Sequence, residues 1–179
     1  YMMECPNLVF INDKPVLLYC PQGLSKDVLD YGNIYPNMYK IGQSFDINKA
    51  ALINPSHIQN LDYGFDCYAT QAFNAPDGRA LPVSWLGLPD VEYPSDRFDH
   101  QGVFSLVKEL TLKDGKLYQY PVPAIKHLRA EEQPFAALAE SKNSYELELN
   151  LAAYTEHEIV LFADKDGKGL RINFDLKAG

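Results

Sequence analysis

Phe65-Asp66-Cys67-Tyr68-Ala69-Thr70-Gln71-Ala72-Phe73-Asn74, the corner Pro76-Asp77-Gly78, and the return Arg79-Ala80-Leu81-Pro82-Val83-Ser84-Trp85-Leu86 decide the fold class. Apolar and polar residues trade places over short runs, and the runs are divided by turn chemistry. A helix would instead repeat its apolar positions every three or four residues. The stretch therefore reads as an antiparallel hairpin. The same pattern recurs on both sides. Leu8 to Ile11 and Val16 to Tyr19 flank Asn12-Asp13-Lys14, and Val103 to Leu112 and Lys116 to Tyr120 flank Asp114-Gly115. Asn-Asp and Asp-Gly are corner residues because they tolerate the positive φ that tight hairpin turns require.

A fourth group lies near the carboxyl end. Tyr145 to Leu151 alternates Glu146, Glu148 and Asn150 with Leu147, Leu149 and Leu151, and is followed by Ile159 to Ala163, the turn Asp164 to Gly169, and Leu170 to Phe174. Between the third and fourth groups, Pro121 to Arg129 gives way to a Glu- and Ala-rich stretch ending at Ser141, a composition shift that predicts a linker or short helix. The chain is expected to be all-β. Residues 1–129 read as propeller-type blades and residues 130–179 as the first strands of a β-sandwich. The last strand reads as unpaired, an exposed edge of the kind that folded domains avoid.

Composition narrows the function. Against 16 Lys and Arg stand 24 Asp and Glu, a formal net charge of −8. Nucleic-acid binding rests on neutralising phosphates with cations, so that partner is not expected. Hydrophobic residues make up 46% of the chain, enough to bury a core. The longest charge-free runs, Pro15 to Ser25 and Ala50 to Leu61, fall short of the roughly 18 apolar residues of a membrane span, so no membrane partner is expected either. Cys5, Cys20 and Cys67 are an odd number without paired spacing, which suits reduced thiols in a cytoplasm.

Most candidate constellations have plain readings. His57, His100, His127 and His157 have no second ligand at metal-binding spacing, so no metal is expected. Asp164-Lys165-Asp166-Gly167-Lys168-Gly169 has acids at the first and third positions of a calcium loop and Gly at the sixth. Lys168, however, puts a cation at the fifth, and the segment reads as a hairpin turn. Lys26, Lys40 and Arg97 are scattered and read as solvated surface groups. Acids and aromatic residues, by contrast, gather at strand ends around Glu4, Asp62 to Tyr68 and Trp85. Aromatic faces beside carboxylates suit a sugar, whose C–H faces stack while its hydroxyls are hydrogen-bonded.

Met3-Glu4-Cys5-Pro6-Asn7-Leu8 resembles the Glu-Cys-Pro motif of glycoside hydrolase family 32, which comprises invertases, fructanases and bacterial sucrose-6-phosphate hydrolases. Asp62 to Phe73, Ser84-Trp85-Leu86-Gly87-Leu88-Pro89, and Lys108 to Leu112 with Gly115 to Pro121 resemble further motifs of that family, in its order. Tyr19-Cys20-Pro21-Gln22-Gly23-Leu24 and Phe73 to Arg79 are most similar to its streptococcal, sucrose 6-phosphate-cleaving branch. The resemblance implies a five-bladed β-propeller followed by a β-sandwich. It implies a retaining hydrolase that cleaves sucrose 6-phosphate and sucrose, the former to fructose and glucose 6-phosphate, with no cofactor. Glu4 would be the general acid/base, and Cys5, Asp66, Tyr68 and Trp85 would line the sugar pocket.

The family's nucleophile motif, Asn-Asp-Pro-Asn-Gly, and its Arg-Asp-Pro motif do not occur among the 179 residues. The expectation is therefore a fragment holding the later blades, inactive by itself and able to associate with further copies through exposed blade edges. A fructan hydrolase or fructosyltransferase of the same family, or a non-catalytic carbohydrate-binding module, are the alternatives.

Overall fold

Asn12 and Asp13 both take a positive φ, 49° and 61°, as a two-residue type I′ corner requires. That corner sets Ile11 opposite Lys14 and so fixes the register of β1 (Met2–Ile11) against β2 (Lys14–Gln22). The computed structural model describes residues 2–133 and 144–177. The chain forms two units, Tyr1–Lys126 and His127–Gly179.

In the first unit, β3 (Met38–Ile41) pairs with β2. The short strands β4 (Ser44–Asp46) and β5 (Ala51–Ile53) form a hairpin of their own, and β6 (Gln59–Asn60) completes a four-stranded antiparallel sheet in the order β1-β2-β3-β6. A second sheet follows. It is built from β7 (Cys67–Asn74), β8 (Ala80–Leu86), β9 (Val103–Phe104), β10 (Lys108–Lys113) and β11 (Lys116–Pro121), in the order β11-β10-β8-β7 with β9 paired to β8. Asp114 and Gly115 turn β10 into β11 with φ of 50° and 71°, the same corner chemistry as at Asn12-Asp13. Two successive antiparallel sheets, each with a four-strand path and the second with the short β9 added, are the repeat of a propeller. Strands β3 to β6 were not read from the sequence. At two to four residues each, they are too short to show a period.

The period-two pattern explains where the core sits. Val9 and Ile11 of β1, Val16 and Leu18 of β2 and Tyr39 of β3 share one face, and they pack against Ala80 and Leu110 of the second sheet. Val9, Val16 and Leu18 are fully buried. Burial of each such side chain contributes about 1.5–3 kcal/mol, so this seam between the sheets holds the unit together. Asn74 laces the same seam at one end, its Nδ2 donating to the Phe10 carbonyl and its Oδ1 accepting the Phe10 N–H, both at 2.8 Å.

The second unit contains the antiparallel pair β12 (Glu156–Leu161) and β13 (Leu170–Asp175). Asp164 closes the intervening turn, its Oδ1 accepting the N–H groups of Asp166 and Lys168 at 2.8 and 2.9 Å. The expected strand over Tyr145 to Leu151 does not form; that segment is irregular. Its alternation describes a side-chain pattern, but a strand also needs a neighbour for its backbone donors and acceptors, and no described strand forms a ladder with it. The expected linker opens with a 3-10 turn at Pro123–Leu128. Residues 134–141 of it lie outside the described residues.

Candidate active site

Each of the two inner strands, β1 and β7, carries a bulge. The β1–β2 register shifts between Glu4 and Asn7, and the β7–β8 register shifts between Tyr68 and Gln71. Within those intervals Cys5 and Ala69 adopt the left-handed conformation, φ 48° and 49°, at a cost of about 1–2 kcal/mol for a residue with a Cβ. A bulge bends its strand and re-aims the neighbouring side chain. Here the residue re-aimed on β1 is Glu4 and the one on β7 is Tyr68.

The two meet. Tyr68 Oη donates to Glu4 Oε2, and Gln22 Nε2, from the end of β2, donates to the same oxygen at 2.6 Å. Gln22 Nε2 also lies 3.2 Å from Tyr68 Oη, so the three groups form a closed triangle. Glu4 is half-buried. Burial pushes the Tyr68 phenol well above the usual tyrosine range, and its hydrogen bond to Glu4 adds to the effect while Gln22 works against it. The phenol therefore keeps its proton, and with it its donor role toward Glu4, throughout the ordinary pH range.

Aromatic rings surround the triangle. Tyr68 stands between Tyr35, at a centroid distance of 5.2 Å, and Trp85, at 6.4 Å. Trp85 pairs with Tyr68 across the β7–β8 ladder, and its indole lies against two glycines. A Cβ at Gly87 would fall 2.5 Å from the ring and one at Gly102 only 2.1 Å from Nε1, so neither position has room for a side chain. Tyr35 comes from the loop between β2 and β3, and its hydroxyl donates to Asp90 in the loop after β8.

The expected site residues distribute as follows. Glu4, Tyr68 and Trp85 converge as described, and half-buried Cys5 packs in the same cluster. Burial raises the Cys5 thiol, as does the charge of Glu4, while a hydrogen bond with Gln71 lowers it. Asp66 precedes β7 and stands outside the triangle, fixed through its carbonyl, which accepts the Gly87 N–H at 2.7 Å. Cys20 and Cys67 are buried core thiols. Cys20 Sγ donates to Asn37 Oδ1 at 2.8 Å, and burial pushes its pKa up to about 12. The scattered cations have other partners: Lys26 donates to the Tyr31 carbonyl at 2.6 Å, Arg97 lies over the Phe98 ring, and Lys40 lines a recess of about 240 Å³ with Met3 and Leu17. Among the described residues no group of three or more His, Cys, Asp or Glu is placed to hold a metal.

Sequence reading missed the roles of Gln22, Tyr35 and Asn7. Gln22 and Asn7 each lie within a recognised motif, but an amide carries no signal of its own. Tyr35 lies in a loop with no periodicity to mark it.

Residues 1–121 match the glycosyl hydrolases family 32 N-terminal domain. A Streptococcus mutans protein named sucrose-6-phosphate hydrolase is 63% identical over 179 residues, which are 100% of this chain and 37% of that protein. A Lactococcus lactis protein of the same name is 50% identical, over 98% of this chain and 38% of its own length. The solved sucrose-6-phosphate hydrolase of Lactobacillus gasseri superposes with a TM-score of 0.83 at 49% identity, over 98% of this chain and 37% of that one. A Bombyx mori family 32 β-fructofuranosidase, solved as a mutant in complex with sucrose, superposes at 0.66 with 33% identity, over 73% of this chain and 28% of its own. The chain thus spans less than two fifths of the length of the relatives it matches.

Proposed function

The chain belongs to glycosyl hydrolase family 32, and from that premise we propose that Glu4 is the general acid/base of a retaining glycosidase that cleaves sucrose 6-phosphate. The observation that carries this reading is the triangle of Glu4, Tyr68 and Gln22, which fixes one half-buried carboxyl group by two hydrogen bonds to a single oxygen.

In the first step the protonated Glu4 gives its proton to the glycosidic oxygen as the bond to the fructosyl carbon breaks, and glucose 6-phosphate departs. The attacking carboxylate is that of the family's Asn-Asp-Pro-Asn-Gly motif, which these 179 residues do not include, and it forms the covalent fructosyl intermediate. In the second step Glu4, now a carboxylate, takes a proton from water as the oxygen adds to the fructosyl carbon and the bond from that carbon to the attacking carboxylate breaks, which frees fructose and restores both groups. Tyr68 and Gln22 hold one oxygen of Glu4 in both steps. Trp85 and Tyr68 offer ring faces to the sugar, Cys5 packs beside them, and Asp66, outside the triangle, would meet the sugar only at its rim.

In the same reading the first unit is a pair of blades of the family's five-bladed propeller, and the unit from His127 onward begins a sandwich. The outer strands β6 and β11 end their sheets and offer open ladder groups to a second copy. In the same reading the protein is cytoplasmic, which its three free thiols support. The test is Glu4→Gln in the full-length enzyme. Turnover of sucrose 6-phosphate should fall by roughly 10²–10⁴-fold, and retention of activity within a few-fold would overturn the assignment. Faster hydrolysis of inulin-type fructans than of sucrose 6-phosphate would keep the acid and correct the substrate.

A further inference from the structure

The two bulges that aim Glu4 and Tyr68 are joined by one side chain. Asn7 Nδ2 donates to the carbonyl of Cys5 at 2.7 Å and to the carbonyl of Thr70 at 2.9 Å, and Asn7 Oδ1 accepts the N–H of Ala72 at 3.0 Å. Cys5 lies inside the irregular stretch of β1 and Thr70 inside that of β7, where the ladder to the neighbouring strand is interrupted. Each bulge strands backbone groups that a regular strand would pair. The carboxamide of Asn7 supplies a donor to one carbonyl in each bulge and accepts the N–H of Ala72 just beyond the second.

We infer that Asn7 is a positioning residue for the proton-transfer step, a clamp that locks the bulge carrying Glu4 to the bulge carrying Tyr68. The inference rests on the reading of Glu4 as the acid. Asp in this place could accept from Ala72 but could not donate to either carbonyl, and Ser has a single donor. Loss of the clamp frees both bulges at once. It therefore displaces the carboxyl group relative to the phenol that orients it, even though Asn7 touches neither.

A mispositioned acid has a kinetic signature that a loss of folded protein does not. It harms a substrate whose leaving group must be protonated and spares one whose leaving group departs as an anion. The experiment compares wild type, Asn7→Ala, Asn7→Asp and Glu4→Gln in the full-length enzyme on sucrose 6-phosphate and on p-nitrophenyl β-fructofuranoside, with thermal melts alongside. The comparison is made in kcat/KM, which reports the steps through formation of the fructosyl intermediate and not the water attack common to both substrates. Both Asn7 variants should lose about 10- to 100-fold in kcat/KM on sucrose 6-phosphate and less than about threefold on the activated fructoside. Equal losses on both substrates, no loss on either, or collapse of both Asn7 variants in the melts would assign Asn7 to folding alone and overturn the inference. Asn7→Asp fills nearly the same volume and carries the comparison if Asn7→Ala does not fold. Glu4→Gln should show the same contrast between substrates. If it does not, the reading of Glu4 fails and takes the clamp with it, whereas failure confined to the Asn7 variants removes only the clamp.

Discussion

Tyr68 does two jobs that separate on removal of one atom. Its ring fills the space between Tyr35 and Trp85, and its hydroxyl donates to Glu4. Tyr68→Phe keeps the packing and deletes the donor. A hydrogen bond to a charged group contributes about 1.5–3 kcal/mol, so turnover should fall by roughly tenfold or more with little change in melting temperature. The pH dependence follows from the direction of the phenol's shift. Its proton is held more tightly in the folded protein than at the ordinary value of 10.0. The stabilising contribution of the neutral phenol is therefore complete below pH 10.0 and is lost only as pH rises toward the higher folded value. The Tyr68 phenol should accordingly add no titration of its own to the kcat profile of the full-length enzyme below about pH 10. An alkaline limb of the wild type below that pH that Tyr68→Phe abolishes would show that Tyr68 ionises during turnover and would refute this account.

At the scale of elements, Asp62 ties the turn before β7 to the β10–β11 hairpin. Its Oδ1 accepts the Gly64 N–H at 2.8 Å, and its Oδ2 meets Gln119 Nε2 at 3.1 Å and Lys108 Nζ at 3.4 Å. Burial acts to raise this carboxyl, but the Gly64 hydrogen bond and the charge and hydrogen bond of Lys108, with help from Gln119, outweigh it and hold it below the ordinary carboxylate value. A lowered group stabilises the fold above its unfolded value of 3.8 and ceases to do so as pH falls through the lower folded value. Lys108→Met should therefore cost about 1–3 kcal/mol at neutral pH, and the gap to wild type should close below pH 3.8. Urea melts at pH 7 and pH 3 measure both quantities; a gap of equal size at the two pH values would contradict the assignment. These elements also show what a sequence makes legible. Asn12-Asp13 and Asp114-Gly115 announced their hairpins because a positive φ has few residues to choose from. Glu4, Tyr68 and Trp85 were legible because their motifs are. Gln22 and Asn7 were not, because their roles arise from contacts 18 to 65 residues away in sequence. Tyr145 to Leu151 misled because alternation describes one face of a strand and says nothing of the neighbour it needs.

The two units differ in how much each can bury by itself. In the first, Val9, Val16, Leu18, Met38 and Leu88 are wholly withdrawn from solvent, and the two inner strands lie against each other. Among the described residues of the second, Ile159 is the one buried hydrophobic side chain, at 9% exposure, and its β12–β13 pair is a two-stranded hairpin. An isolated two-stranded hairpin is at best marginally stable in water. Its ion pairs, Arg171 with Glu158 and Lys177 with Glu156, are exposed and contribute at most about 1 kcal/mol each. Amide exchange in the 179-residue chain should therefore separate the units. Amides of β12 and β13 should exchange through local opening at low free energy, while those of β1, β2 and β7 should exchange only through unfolding of the whole first unit. Hydrogen-exchange mass spectrometry resolves the two classes. If β12 and β13 are protected as strongly as β1 and β2, the second unit is stabilised by burial that its described residues do not provide, and the contrast drawn here between the units is wrong.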